Sequence, residues 1–184
     1  MTLNEFMYLF FILAELVFLI GASLYLISLS YSWLSGAPYV ATKRKSLAKI
    51  IEHAHIQDGQ NIIELGSGDG RFLQAVAKKY SITGLGVDVN PLPIFKARFL
   101  ARIQKISTIK FKIQNIKDTN LSNADLIYAY LLPKFIKTIE SQLLKQTKKG
   151  VMIASHAFKI DYLEKYLVDT VKGETFKTYF YKMS

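Results

Sequence analysis

Glu64, Asp88 and the glycines at 66, 68 and 70 are the residues whose types and spacing could do chemistry. They frame Asn61-Ile-Ile-Glu-Leu-Gly-Ser-Gly-Asp-Gly70, which reads as a short buried strand, Asn61 to Leu65, running into a glycine-rich turn. An amphipathic helix over 71–80 follows at once. Glycine lets the backbone turn sharply and approach a ligand where a side chain would stand in the way. Amides at the start of the helix favour an anionic group such as a carboxylate or phosphate. Glu64, at the strand's end, can accept hydrogen bonds from donors on the same ligand. Asp88 closes a second strand, near the distance at which a βαβ unit returns its next strand tip beside the loop. There its two oxygens can take both ribose hydroxyls of an adenosyl group.

The spacing separates two cofactor classes. A dinucleotide fingerprint, G-x-G-x-x-G, would need its third glycine where Arg71 stands. The chain instead carries E-x-G-x-G-x-G, which resembles motif I of the class I S-adenosylmethionine (SAM) methyltransferases. That resemblance implies SAM as cofactor, held by Glu64, Gly66, Ser67, Gly68, Gly70 and Asp88. It further implies that Asn115, at the tip of the third strand, faces adenine N6. Asp is commoner at that place, but the Asn amide oxygen can accept the same hydrogen bond.

The elements that must position these residues follow in order. Thr42 can cap a helix from Lys43 to about His55 that shows Leu47, Ile50, Ile51 and Ala54 on one face. Strands are expected at 61–65, 82–87, 109–114, 125–130 and 151–155, with helices between these five, including one from Asn90-Pro91 to about Gln104 and one from Lys134 to Gln146. The stretches 166–171 and 175–181, flanking Lys172-Gly173, read as an antiparallel hairpin. The expected fold is α/β: a seven-stranded, doubly wound, Rossmann-like sheet whose ligand sits at the carboxyl ends of the strands.

The chain has 184 residues and no cysteine, which excludes disulfides, a thiol nucleophile and a cysteine zinc site. His53, His55 and His156 match no metal spacing, so no metal is expected. Charge is uneven: residues 1–35 hold only Glu5 and Glu15, while all 24 basic residues lie beyond them. Such a surface suits anionic lipid headgroups or nucleic acid, or is simply solvated. The apolar run Phe6 to Leu29 is long enough to cross a bilayer, with Tyr31 and Trp33 at its edge and Lys43, Arg44, Lys45 and Lys49 behind it. Neither a cleaved signal peptide nor a mitochondrial presequence fits. The reading is a single-pass anchor with the globular domain on the cytoplasmic side, or at the inner mitochondrial membrane in a eukaryote. A membrane is thus the expected partner, and nucleic acid is not. Glu15 sits mid-span, where an ionised carboxylate costs several kcal/mol; contact with a partner helix or a neutral carboxyl would each answer that cost. Domain bounds are placed at 1–35 for the anchor, 36–58 for a linker and helix, and 59–184 for the catalytic domain.

Taken together, the anchor, Pro38-Tyr-Val-Ala-Thr42, Glu64-Leu-Gly-Ser-Gly-Asp-Gly-Arg71, Asp88-Val-Asn-Pro91, Tyr130-Leu-Leu-Pro133 and the terminal hairpin resemble one group. These are the membrane-anchored lysine methyltransferases whose animal members modify the c-ring protein of ATP synthase and the adenine nucleotide translocase. The composition suggests a prokaryotic-type relative. The resemblance implies methyl transfer to a lysine of a membrane protein, with Tyr39, Tyr130 and Pro133 beside the acceptor channel. A lipid or quinone acceptor, or a SAM-binding scaffold without catalysis, would keep the same loop.

Overall fold

The computed structural model describes residues 2–34, 42 and 44–184. The chain divides into two compact units, Met1–Pro38 and Tyr39–Ser184. The first is built on helix α1, Leu3–Leu34, about 48 Å long at 1.5 Å per residue. Its segment Leu3–Ser28 is long and apolar enough to cross a membrane. Phe6, Phe10, Phe11, Phe18 and Leu24 lie exposed on it, so none of these side chains is used to build a core. The Tyr31 and Trp33 side chains, and the linker over 35–41, fall outside the described residues.

The second unit holds a seven-stranded sheet. Its strands are β1 (Asn61–Leu65), β2 (Thr83–Asp88), β3 (Ile109–Ile113), β4 (Leu126–Ala129), β5 (Met152–His156), β6 (Leu167–Lys172) and β7 (Lys177–Lys182). They are ordered β3-β2-β1-β4-β5-β7-β6. The first five run parallel; β7 pairs antiparallel with β5, and β6 with β7. The strand order reverses between β1 and β4, which places the glycine turn at a topological switch point, where ligands bind in open α/β sheets.

Helices α2 (Arg44–His53), α3 (Arg71–Ala77) and α4 (Pro91–Ile103) cover one face. Ile50, Ile51, Phe72, Leu73, Val76, Ile94 and Ala97 pack there against Leu126, Tyr128 and Phe180. Helices α5 (Pro133–Thr138) and α6 (Glu140–Gln146) cover the other, packing Ile136 and Leu143 against Ile63, Ile127 and Ile153. Because β1 is central and covered on both sides, four of its five residues are buried, the charged Glu64 among them.

Two expectations about connections are corrected. The helix expected over 134–146 is two helices broken at Ile139 (φ −111°, ψ 14°). The Thr138 hydroxyl donates to the Phe135 carbonyl at 2.7 Å and the Ile139 amide closes a tighter turn onto Ile136, so local bonds compete with the helical ladder. Between β3 and β4 no α-helix forms. The chain makes one 3-10 turn, Ile116–Asp118, then a loop rich in Asn, Ser and Thr, residues that bond their own backbone. The opening of α4 is as expected: Asn90 Oδ1 accepts the Leu92 amide at 3.1 Å and Pro91 stands at the first turn.

Phe111 explains two of the glycines. Gly70 has φ +70°, and a β-carbon there would lie 2.3 Å from the Phe111 ring. At Gly86 on β2 the same ring would be 2.5 Å away. Gly70→Ala is therefore expected to lose roughly 1–3 kcal/mol through overpacking and left-handed strain, measured by urea denaturation. Adding Phe111→Leu should return part of that loss; no recovery would assign it to backbone strain alone.

Candidate active site

The turn after β1 is held by carboxylates that reach back into it. Asp88 Oδ2 accepts the Gly68 amide at 2.9 Å, while its Oδ1 accepts the Asn90 amide at 2.8 Å. One side chain thus ties the tip of β2 to the glycine turn and to the start of α4. Glu64, 4% exposed, accepts the Leu73 amide at 3.3 Å in the first turn of α3. The amides of Gly68 and Leu73, expected to face an anionic ligand, are therefore occupied by the protein's own acids.

The turn itself is left-handed at Gly66 (φ 70°), Gly68 (φ 52°) and Gly70 (φ 70°). Such a run of positive φ suits glycine and strains other residues. A β-carbon at Gly66 would meet Leu131 at 2.5 Å, so this glycine lets the turn close on the segment after β4. Ser67 is buried, and its hydroxyl has no hydrogen-bond partner among the described residues. A buried hydroxyl without a partner is costly and invites a ligand.

A third acid, Asp69, was not singled out by the sequence. Its carboxylate receives the Arg71 guanidinium in a fork at 2.9 and 2.8 Å and the Lys96 ammonium at 3.1 Å. Arg71 also donates to the Thr42 carbonyl at 3.1 Å. Arg71, standing where a dinucleotide loop would have glycine, thus ties the turn to Thr42. The Thr42 hydroxyl in turn lies 3.0 Å from the Tyr128 hydroxyl, and the Tyr128 ring stacks on Phe72 at 4.0 Å. Only the geometry reveals this chain of contacts, since its members are far apart in sequence.

Burial raises the Glu64 pKa well above the ordinary carboxylate range; the Leu73 amide opposes the rise, and neighbouring Asp69 and Asp88 add to it. Burial also raises Asp88, against the amides of Asn90, Gly68 and Val89. Three acids crowded around one turn are complementary to a cation.

The remaining expected residues divide. Asn115, exposed at the tip of β3, uses Oδ1 to accept the Lys117 amide at 3.0 Å and cap the 3-10 turn. Tyr130, just past β4, stands half-buried against His156 (4.7 Å between ring centroids) and Phe176 (6.2 Å). Pro133 opens α5 on the surface. Tyr39 falls outside the described residues. His156, read from sequence as an ordinary histidine, is buried, bonds Thr178 Oγ1 through Nδ1 at 2.8 Å, and has its pKa lowered by burial to about 4. Its imidazole is neutral at pH 7.

Comparison with known proteins agrees with this geometry. Residues 64–166 match the model of the ANTKMT methyltransferase domain. A protein-lysine N-methyltransferase from Saccharolobus islandicus is 29% identical over 136 residues, 70% of this chain and 81% of the relative. A human lysine N-methyltransferase named for the c-ring protein of ATP synthase is 23% identical over 142 residues, 77% of this chain but only 59% of the human protein. Among solved structures, an RNA methyltransferase from Salinibacter ruber in complex with S-adenosyl-L-homocysteine superposes with a TM-score of 0.73 at 25% identity, covering 78% of this chain and 94% of the other.

The raised carboxyl pKa values have a consequence for stability. An acid whose folded pKa lies above its unfolded value favours folding while protonated. Its contribution is complete below the ordinary carboxylate pKa and is lost as pH rises through the folded value. Without ligand, Glu64→Gln keeps an acceptor for the Leu73 amide and removes the buried titration. Its melting temperature should fall less than that of the wild type as pH rises above the ordinary carboxylate range. Parallel curves would mean that Glu64 does not titrate in this way.

Proposed function

The chain belongs to the family of the ANTKMT methyltransferase domain and is a SAM-dependent methyltransferase, and we propose that it methylates a lysine side chain of a membrane-associated protein. The observation that carries this reading is the pairing of the family match over 64–166 with two relatives named as lysine methyltransferases. An exposed apolar helix in the same chain supports a membrane setting. In this reading α1 is a single-pass anchor, with the catalytic domain on the cytoplasmic side, where Lys45 and Lys49 follow it.

SAM, when bound, supplies an electrophilic methyl carbon on a sulfonium. The residues proposed to hold it are Glu64, Gly66, Ser67, Gly68, Gly70, Asp88 and Asn115. Their fit rests on three features: the partnerless Ser67 hydroxyl, the left-handed turn, and acids suited to a ligand bearing ammonium and sulfonium charges. Asp88 is preorganised by the Gly68 and Asn90 amides, so it would accept from ribose hydroxyls without having to be ordered first. Glu64 and Asp88, raised as acids, would be drawn into the ionised form by the incoming cation.

On the acceptor side, Tyr130, Pro133 and Tyr39 remain the proposed channel, to which the structure's neighbours His156 and Phe176 are added. The acceptor nitrogen must be neutral to attack, whereas a free lysine has a pKa of about 10.4. A wall of aromatic rings with an uncharged imidazole disfavours the ammonium form and so lowers that barrier. The chain's remaining task is alignment of donor and acceptor.

The test is to incubate the full-length protein and native membranes with methyl-labelled SAM and separate protein, lipid and RNA. Label on lysines of a membrane protein is expected; label confined to lipid or RNA contradicts the lysine reading. In the same system Asp88→Ala should weaken SAM binding by roughly 1–3 kcal/mol, the cost of leaving buried donors unpaired, as measured by calorimetry. Unchanged affinity would remove Asp88 from the site.

A further inference from the structure

Helix α4 is apolar on two opposite faces. Ile94, Ala97 and Ala101 point into the core. Leu92, Phe95, Phe99 and Ile103 recur at helical spacing on the other side and stand in the open, with Phe95 56%, Phe99 63% and Ile103 61% exposed. Ile113, at the end of the edge strand β3, is exposed beside them. Side chains of this size gain most from leaving water, so an outward stripe of them calls for a partner.

The charges around the stripe say which partner. From Pro91 to Ile113 the sequence has six basic residues, Lys96, Arg98, Arg102, Lys105, Lys110 and Lys112, and no acidic one. On the helix, Lys96 flanks the stripe on one side and Arg98 and Arg102 on the other, all three exposed. Arg98 is fixed across the gap to β3 by donating through Nε to the Phe111 carbonyl at 2.8 Å. Between α4 and β3 lies an open groove of about 390 Å³ lined by Arg98, Arg102, Lys110 and Lys112, with no acid among the described residues of its lining. An apolar stripe flanked by cations, beside a groove lined with more of them, matches the two zones of an anionic bilayer surface: acyl chains under the stripe, phosphates against the Lys and Arg side chains. A nucleic acid would use the cations but would leave the aliphatic Leu92 and Ile103 unsatisfied. A second copy would bring its own cations to face these.

We propose that the α4–β3 face docks the catalytic domain onto anionic phospholipid, as a contact separate from the amino-terminal helix. Each basic side chain near such a surface strengthens the contact, and the apolar stripe adds burial that salt does not screen.

The chain lacks cysteine, so a single Phe99→Cys substitution in the full-length protein can carry an environment-sensitive fluorophore. The labelled protein is added to phosphatidylcholine vesicles with or without phosphatidylglycerol, each also prepared with spin-labelled lipid as quencher. Flotation with pure phosphatidylcholine reports the amino-terminal helix; quenching at 99 reports the proposed face, so the two readings can fail separately. The expected result is a blue shift and strong quenching at 99 in anionic vesicles, weaker quenching in neutral ones, and little change for a label placed by Lys145→Cys, on the sheet's other side. Lys110→Glu with Lys112→Glu should reduce the anionic preference, and Phe95→Glu should reduce quenching in both. The proposal is overturned by a water-like signal at 99 in anionic vesicles or by equal quenching in the two lipids. It is also overturned by a response at 99 to RNA instead of lipid, or to rising protein concentration in lipid-free detergent.

Discussion

The double hydrogen bond from Asp88 to the backbone is the constraint on which the site depends. A turn with three left-handed glycines has a high conformational entropy in the unfolded chain and needs something to fix it. By accepting from Gly68 with one oxygen and Asn90 with the other, Asp88 joins the end of β1, the tip of β2 and the cap of α4. Neither amide is left unpaired, and the carboxylate is set in place before any ligand arrives. Burial of that acid opposes its charge, which is the cost of placing it where a cation can use it.

The same logic extends to the other acids. Glu64 is fully enclosed at the centre of β1, with one backbone amide on its carboxylate and two further acids nearby. Asp69 is answered by Arg71 and Lys96. The turn is therefore partly neutralised from within the protein, and Glu64 and Asp88 are the acids left raised. A cofactor carrying positive charge relieves both at once, whereas an anionic one would meet acids already occupying the Gly68 and Leu73 amides. This accounts physically for SAM chemistry on a loop that superficially resembles a dinucleotide site.

Local chemistry made much of this legible in the sequence. The glycine turn, the Asn90-Pro91 helix start and the terminal hairpin each carry their own geometry in consecutive residues, and the structure has all three. What was not legible depends on contacts between distant segments. Nothing local says that Phe111 fills the space over Gly70 and Gly86, or that Arg71 reaches Thr42. His156 reads as ordinary until Tyr130 and Phe176 are found against it. The break at Ile139 comes from one hydroxyl competing for a carbonyl, an effect that periodicity does not register. The outward stripe on α4 was hidden for a different reason: with apolar residues on both faces, the pattern alone does not say which face the core takes.

If buried acids at the turn recognise the positive charge of the cofactor, binding of that charge must be linked to their ionisation. Calorimetric titration of the full-length protein with S-adenosylmethionine and, separately, with its uncharged thioether product reads this linkage, across a pH series and in buffers of different ionisation enthalpy. Binding of the sulfonium should release protons, and its affinity relative to the thioether should rise with pH as Glu64 and Asp88 ionise. A ratio independent of pH, with no proton released, would contradict recognition by these acids.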